Sequence, residues 1–76
     1  MIYKYPYEIV CDDNGCLLIA FPDVPEAITY AENPDMAHKR ATDALSTALE
    51  GYSAANRGFP TPSEIGSRAF ISMELD

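Results

Sequence analysis

The sequence predicts an α+β fold of order β-β-β-α-β, a four-stranded mixed sheet with one long helix packed on one face. Three observations predict it. Two apolar runs flank Asp12-Asp13-Asn14-Gly15, a tight-turn signal in which Asn-Gly supplies residues that tolerate positive φ. One long segment beginning at Pro34 repeats apolar residues at spacings of three and four. The last run, Arg68 to Leu75, alternates Ala69, Ile71, Met73 and Leu75 with Phe70, Ser72 and Glu74, the period of a strand. The whole chain of 76 residues reads as one domain, without internal repeat or linker.

Each element has a local cause. The first strand, Tyr3 to Cys11, is rich in aromatic and β-branched residues. The second, Cys16 to Phe21, is apolar at every position, and Pro22-Asp23-Val24-Pro25 then bends the chain because neither proline can donate to a ladder. Ala27 to Ala31 reads as a short third strand. Asn33 is a favoured N-cap, Pro34 fits the first helical position, and Asp35 puts negative charge where the helix dipole favours it. Ala37, Ala41, Ala44, Leu45, Ala48, Leu49 and Tyr52 form one apolar stripe, mostly of small residues that let a helix sit close to a sheet. The helix is expected to reach Arg57, about 24 residues and roughly 36 Å, or to fray or stop near Gly51, which costs about 1 kcal/mol relative to alanine. Gly58 reads as its C′ residue, and Pro60 and Pro62 prevent continuation. After a loop, the fourth strand returns beside the first, and the helical crossover lets it run parallel to that strand.

Alternate side chains of a strand point to opposite faces, so the second strand places Leu17, Ile19 and Phe21 on one face and Cys16, Leu18 and Ala20 on the other. A turn of two residues or of four gives one parity, with Ile9 and Cys11 on the face of Leu18 and Ala20. Both faces of the hairpin are then apolar. One helix covers only one of them, so the other meets a loop, a second copy or another protein. Ile9, Cys11 and Leu18 are accordingly the expected oligomer or partner face.

Twelve carboxylates against five Lys and Arg give a formal charge of −7. Residues 1–36 hold seven of the carboxylates against Lys4 alone, and residues 37–76 hold five against Lys39, Arg40, Arg57 and Arg68. Such a balance opposes binding to a phosphate backbone, which runs on Lys and Arg, and suits a basic protein partner. The longest apolar run, Leu17 to Phe21, falls far short of the roughly 20 residues of a membrane helix. Met1 opens directly into Tyr3, Lys4, Tyr5, Pro6 and Tyr7 rather than into a basic and then apolar leader. Two cysteines are too few for a disulfide scaffold, and the expected compartment is the reducing cytoplasm. A chain this short buries only about 60% of its unfolded surface, so a homodimer or a partner is expected to supplement its core.

Catalytic constellations are missing. His38 is the only histidine and has no ligand-type residue at a metal spacing, and Cys11 and Cys16 read as two small hydrophobes. The carboxylates fall on turns, on the proline-framed bend and on the polar side of the helix, not in mid-strand where a two-metal cluster needs them. There is no Gly-rich phosphate loop, Ser-His-Asp set or nucleophile elbow. The expectation is a non-enzyme without cofactor or metal. Phe21-Pro22-Asp23-Val24-Pro25 differs in kind, because a rigid bend ending a strand holds Asp23 and Glu26 at fixed places on the sheet's rim, where a basic partner can dock.

Tyr5-Pro6, the acidic Gly-ended turn at Asp12 to Gly15, the strand closing in Phe21-Pro22-Asp23-Val24-Pro25, a third strand, and a capped Ala-rich helix ending in Glu50-Gly51 before prolines together resemble the HicB antitoxin family. The likeness runs from about Tyr3 to Pro62. It implies a partial ribonuclease H-like domain with the same β-β-β-α-β order and no nuclease activity. It further implies a small basic partner of the HicA type, a histidine-dependent ribonuclease that cleaves messenger RNA and is inhibited when its active surface is covered. Members of the family are commonly oligomeric and usually carry a carboxy-terminal DNA-binding module. No such module is read in residues 1–76, so operator binding is not expected of this chain. Two positions depart from the family pattern. Glu26 stands where a glycine is usual after the bend, and Ala31-Glu32-Asn33 replaces the usual Gly-Asp-Thr before the helix.

The resemblance thus implies an antitoxin of a type II toxin–antitoxin system that masks the active site of a HicA-type toxin. Asp12, Asp13, Asp23 and Glu26 are the expected electrostatic contacts, with Phe21 and Val24 as the apolar anchor. Two alternatives stand beside it: an orphan HicB-like domain, and a ribonuclease H-like remnant with residual metal-dependent nuclease activity.

Overall fold

The computed structural model describes residues 1–75. Its elements are β1 (Ile2–Cys11), β2 (Leu17–Phe21), β3 (Val24–Ala31), α1 (Pro34–Ala54) and β4 (Ala69–Glu74). They form one four-stranded sheet of order β3-β2-β1-β4 with α1 across one face. The β-β-β-α-β order and the single covering helix are as the sequence predicts. The sheet, however, is antiparallel throughout rather than mixed, because β4 pairs antiparallel with β1. A direct entry from the end of α1 would have run β4 parallel to β1. Instead the chain doubles back along residues 55–68, enters beside Tyr7, and runs out toward Ile2.

β1 is shared between two ladders that scarcely overlap. Its first part, Ile2 to Tyr7, pairs with β4, and its second part, Glu8 to Cys11, pairs with β2. The bond from the Leu75 N–H to the Met1 carbonyl, 2.8 Å, sets the phase in which odd-numbered residues of β1 bond to β4. Pro6, at an even position, therefore turns its donorless nitrogen toward the side where β2 has already ended, which is how a proline is tolerated in a central strand. Pro25 sits in β3, an edge strand, for the same reason. β3 consequently starts at Val24, earlier than the expected Ala27.

The β1–β2 connection corrects the expected register. Asp12 N–H donates to the Cys16 carbonyl at 2.9 Å, and Gly15 N–H donates to the Asp12 carbonyl at 3.2 Å, which leaves the three-residue loop Asp13-Asn14-Gly15. Gly15 has φ 84°, the left-handed residue that ends a type I turn with a bulge. The Asp12 carboxylate accepts from the Asn14 and Cys16 N–H groups, both at 2.9 Å. An odd loop reverses the parity of a two- or four-residue turn. Ile9 therefore pairs with Ile19 and Cys11 with Leu17, so Ile9 and Cys11 stand on the helix side and do not share a face with Leu18 and Ala20.

Tyr5, Ile19, Phe21, Val24 and Leu45 fill the centre of the core, and Ala37, Ala41, Leu49 and Tyr52 complete the helix's buried side. Asn33 caps α1 by accepting from the Met36 N–H at 3.1 Å. The helix ends at Ala54, short of the expected Arg57, and Asn56 at φ 59° takes the left-handed role expected of Gly58. The Asn56 N–H then bonds the Ser53 carbonyl and the Arg57 N–H bonds the Tyr52 carbonyl at 2.9 Å, a Schellman pair. This closure lays the Arg57 guanidinium 4.2 Å from the centre of the Tyr52 ring. Tyr52 in turn donates its hydroxyl to Glu26 Oε1 at 2.9 Å, and Arg57 lies 3.5 Å from Glu26 Oε2.

The returning segment is pinned twice. Tyr5 donates its hydroxyl to the Pro60 carbonyl at 2.7 Å, while Ser63 donates from its N–H and its hydroxyl to the two Asp23 carboxylate oxygens at 2.7 and 2.5 Å. Phe59 meets the Tyr3 ring edge-on at 6.1 Å. No helix of the described residues is long and apolar enough to cross a membrane.

Two predictions follow from these ties. Burial, with smaller contributions from Tyr3, Asp23 and Tyr52, pushes the Tyr5 hydroxyl up to about 12. Replacing Tyr5 with Phe is expected to cost about 1–2 kcal/mol by denaturant unfolding at neutral pH, the worth of one bond and a stranded carbonyl. Because the folded value is raised, the tyrosine's advantage is fully present below its ordinary value near 10 and disappears as pH rises toward about 12. Glu26 behaves oppositely: its own backbone N–H, the Tyr52 hydroxyl and Arg57 hold its carboxyl below the ordinary glutamate range. Its stabilisation is present above that range and is lost as pH falls through the lowered value. An NMR titration is expected to find Glu26 titrating low in the parent protein and closer to an ordinary glutamate in Tyr52→Phe.

Candidate partner-binding surface

The sheet face opposite α1 is built from the even-numbered residues of β1, β2 and β4, with Ile28 and Tyr30 of β3. Cross-strand register places Tyr30, Leu18 and Val10 in one row, Ile28, Ala20 and Glu8 in the next, and Pro6 opposite Phe70 beyond them. Neighbouring strands lie about 4.8 Å apart, so each three-residue row spans about 10 Å. Val10 and Tyr30 are each 59% exposed, Ile28 57% and Phe70 40%, while Leu18 and Ala20 between them are half-buried. An apolar surface continuous over three strands is the kind of patch that marks an interaction site.

Charge around this face is one-sided. Glu8 stands in the second row, one residue past the end of the β1–β4 ladder, Asp12 and Asp13 follow Val10 into the hairpin loop, and Glu32 follows Tyr30 off the end of β3. Lys4 is the basic residue on the face, and its Nζ lies 5.8 Å from the centre of the Phe70 ring. Arg68, next to Phe70, turns its guanidinium into the carbonyls of Glu64 and Ile65. Lys39 and Arg40 are on α1, and Lys39 is 3.6 Å from Asp43 there.

The residues expected at a partner contact divide by position. Phe21 and Val24 are 1% and 0% exposed, so they are core residues and present no anchor surface; a proline-framed bend buries its apolar members under α1 instead of displaying them. Asp23 is committed to Ser63, and Glu26 to Tyr52 and Arg57. Asp12 organises its own turn, whereas Asp13 is exposed at the loop tip. Leu18 does lie on the helix-free face. Ile9 is 43% exposed, but on the opposite side, and Cys11 is exposed there with a free thiol. The sequence reading missed Val10, Ile28, Tyr30 and Phe70. Gly15 was the signal that could have found them, since a glycine in third place after Asp13-Asn14 also fits a three-residue loop. Among the described residues no three His, Cys, Asp or Glu side chains converge as a metal site.

This fold is shared with a solved structure, the N-terminal domain of the Burkholderia pseudomallei antitoxin HicB, with a TM-score of 0.74 and 18% identity over 96% of this chain and 98% of that one. Closer in sequence are Antitoxin HicB 1 of Photorhabdus laumondii, 36% identical over 63 residues, and Antitoxin HicB of Escherichia coli K12, 36% identical over 73. The alignments take in 83% and 95% of this chain but 41% and 53% of those proteins, so the chain spans about half the length of the curated relatives it matches. Residues 4–73 match the family model described as HicB_like antitoxin of bacterial toxin-antitoxin system. An acidic sheet-and-helix domain with an apolar free face and a family match over nearly its whole length belongs to the HicB-like antitoxin family.

Proposed function

We propose that this chain is the toxin-binding part of an antitoxin, and that it inhibits a small basic HicA-type ribonuclease by covering its active surface. The observation that carries the proposal is the match over residues 4–73 to an antitoxin family. The formal charge of −7 supports it, because an acidic protein associates rapidly and selectively with a basic partner. The exposed hairpin tip with Asp12 and Asp13 steers the encounter. Asp23 and Glu26 act indirectly in this reading, by fixing the segment after α1 and the start of β3. The cytoplasm is the compartment in which such an mRNA-cleaving partner would have to be met.

The test is reconstitution with a HicA-type ribonuclease, the cognate one being sought in the reading frame adjacent to this chain's. Added in equimolar amount, the chain is expected to abolish cleavage of a messenger RNA by that toxin, with inhibition weakening as salt is raised. Unchanged cleavage at any ratio would rule the proposal out. Incubating the chain alone with an RNA/DNA hybrid and Mg²⁺ or Mn²⁺ is expected to give no products, and metal-dependent cleavage would favour the nuclease-remnant alternative.

A further inference from the structure

We infer that the toxin docks on the helix-free face of the sheet, with the Tyr30-Leu18-Val10 row as its apolar anchor and Glu8 as the adjoining charge contact. This rests on the antitoxin reading above and names the surface that reading leaves open. The side chains of the proline-framed bend cannot supply an anchor, since Phe21 and Val24 are in the core. On the helix side the exposed apolar surface is interrupted by Lys39, Arg40, Asp43 and Glu50, and α1 has already spent its apolar stripe on the sheet. The helix-free face has the opposite character: Val10, Leu18, Ala20, Ile28 and Tyr30 adjoin without a charge between them.

Charge chooses among occupants. Glu8, Asp12, Asp13 and Glu32 border the face, and among the described residues Lys4 is the one basic side chain on it that is not turned into a loop. A second copy packed face to face would oppose two acidic rims with little cation to separate them. A partner whose own surface is apolar at the centre and basic at the margin meets both features at once. Tyr30 suits the central position, because a ring that is 59% exposed brings a large contact area with few rotatable bonds to immobilise. Its position on an edge strand also leaves it accessible from the side as well as from above.

The experiment measures binding of a HicA-type ribonuclease, with its catalytic histidine replaced, to four forms of the full chain: parent, Val10→Lys with Tyr30→Lys, Glu8→Lys, and Glu50→Lys on α1 as a control. All the substituted side chains are exposed, and circular dichroism checks each fold. The lysine pair is expected to weaken binding at least about thirtyfold, the size of one interface hot spot. Glu8→Lys is expected to weaken it about tenfold and to flatten its salt dependence, and Glu50→Lys to change it less than about threefold. Parent-like binding by both the lysine pair and Glu8→Lys overturns the docking surface while leaving the antitoxin reading intact, and Glu8→Lys answers alone should the lysine pair not fold. Light scattering that finds a parent dimer dissociated by Val10→Lys with Tyr30→Lys, with toxin binding retained, assigns the face to a second copy and likewise overturns it. Failure of the parent to bind the toxin removes the reading itself.

Discussion

One helix against four strands is the constraint from which the rest of this molecule follows. A sheet has two faces, and α1 has the apolar stripe for one. The residues that meet it are graded in size, from Ala37 and Ala41 in its first half to Leu45, Leu49 and Tyr52 toward its end. That gradation exhausts the helix. No helix covers the other face, and Val10, Ile28, Tyr30 and Phe70 stand exposed there, with Leu18 and Ala20 half-buried between them.

The polar ties of the structure serve the covered face and stop at its edge. Glu26, Tyr52 and Arg57 join the end of α1 to the start of β3, and Asp23 with Ser63 and Tyr5 with Pro60 hold the segment that must double back before β4 can enter. These bonds explain why so acidic a chain is not simply repelled by itself: Asp23 and Glu26, two carboxylates of the acidic half, are satisfied internally. Glu8, Asp13 and Glu32, which have no such internal tie among the described residues, border the helix-free face, while Asp35 and Glu50 are exposed on α1.

The secondary structure was legible because each element carries its own local cause. Asn33 and Pro34 start the helix, the alanine stripe defines its side, and alternation marks β4. Strand direction was not legible, since nothing in residues 55–68 states that the chain will retrace the sheet before pairing; Tyr5 and Ser63 enforce that path through contacts distant in sequence. The helix end was displaced because Asn56 competes with Gly58 for the left-handed position, and asparagine adopts it readily. The partner surface was half legible. That both faces of the hairpin are apolar is plain from Cys16 to Phe21, but which β1 residues share a face depends on whether the turn is even or odd. One residue of loop moved Val10 to the free face and Ile9 away from it. The acids singled out at the bend were misjudged for a different reason: sequence marks a carboxylate as charged but does not tell whether Ser63 or Arg57 will already hold it.

The account's central claim is that the helix-free face is the working surface, and chemical-shift mapping of the isotope-labelled chain during titration with a catalytically silenced HicA-type toxin tests it most directly. The account predicts that the methyl and ring signals of Val10, Leu18, Ala20, Ile28 and Tyr30 shift together, while those of Ala37, Ala41 and Leu45 in the core hold still. Perturbations confined to the exposed side of α1 or to the segment after it, with the five face residues unmoved in a saturated complex, would contradict it.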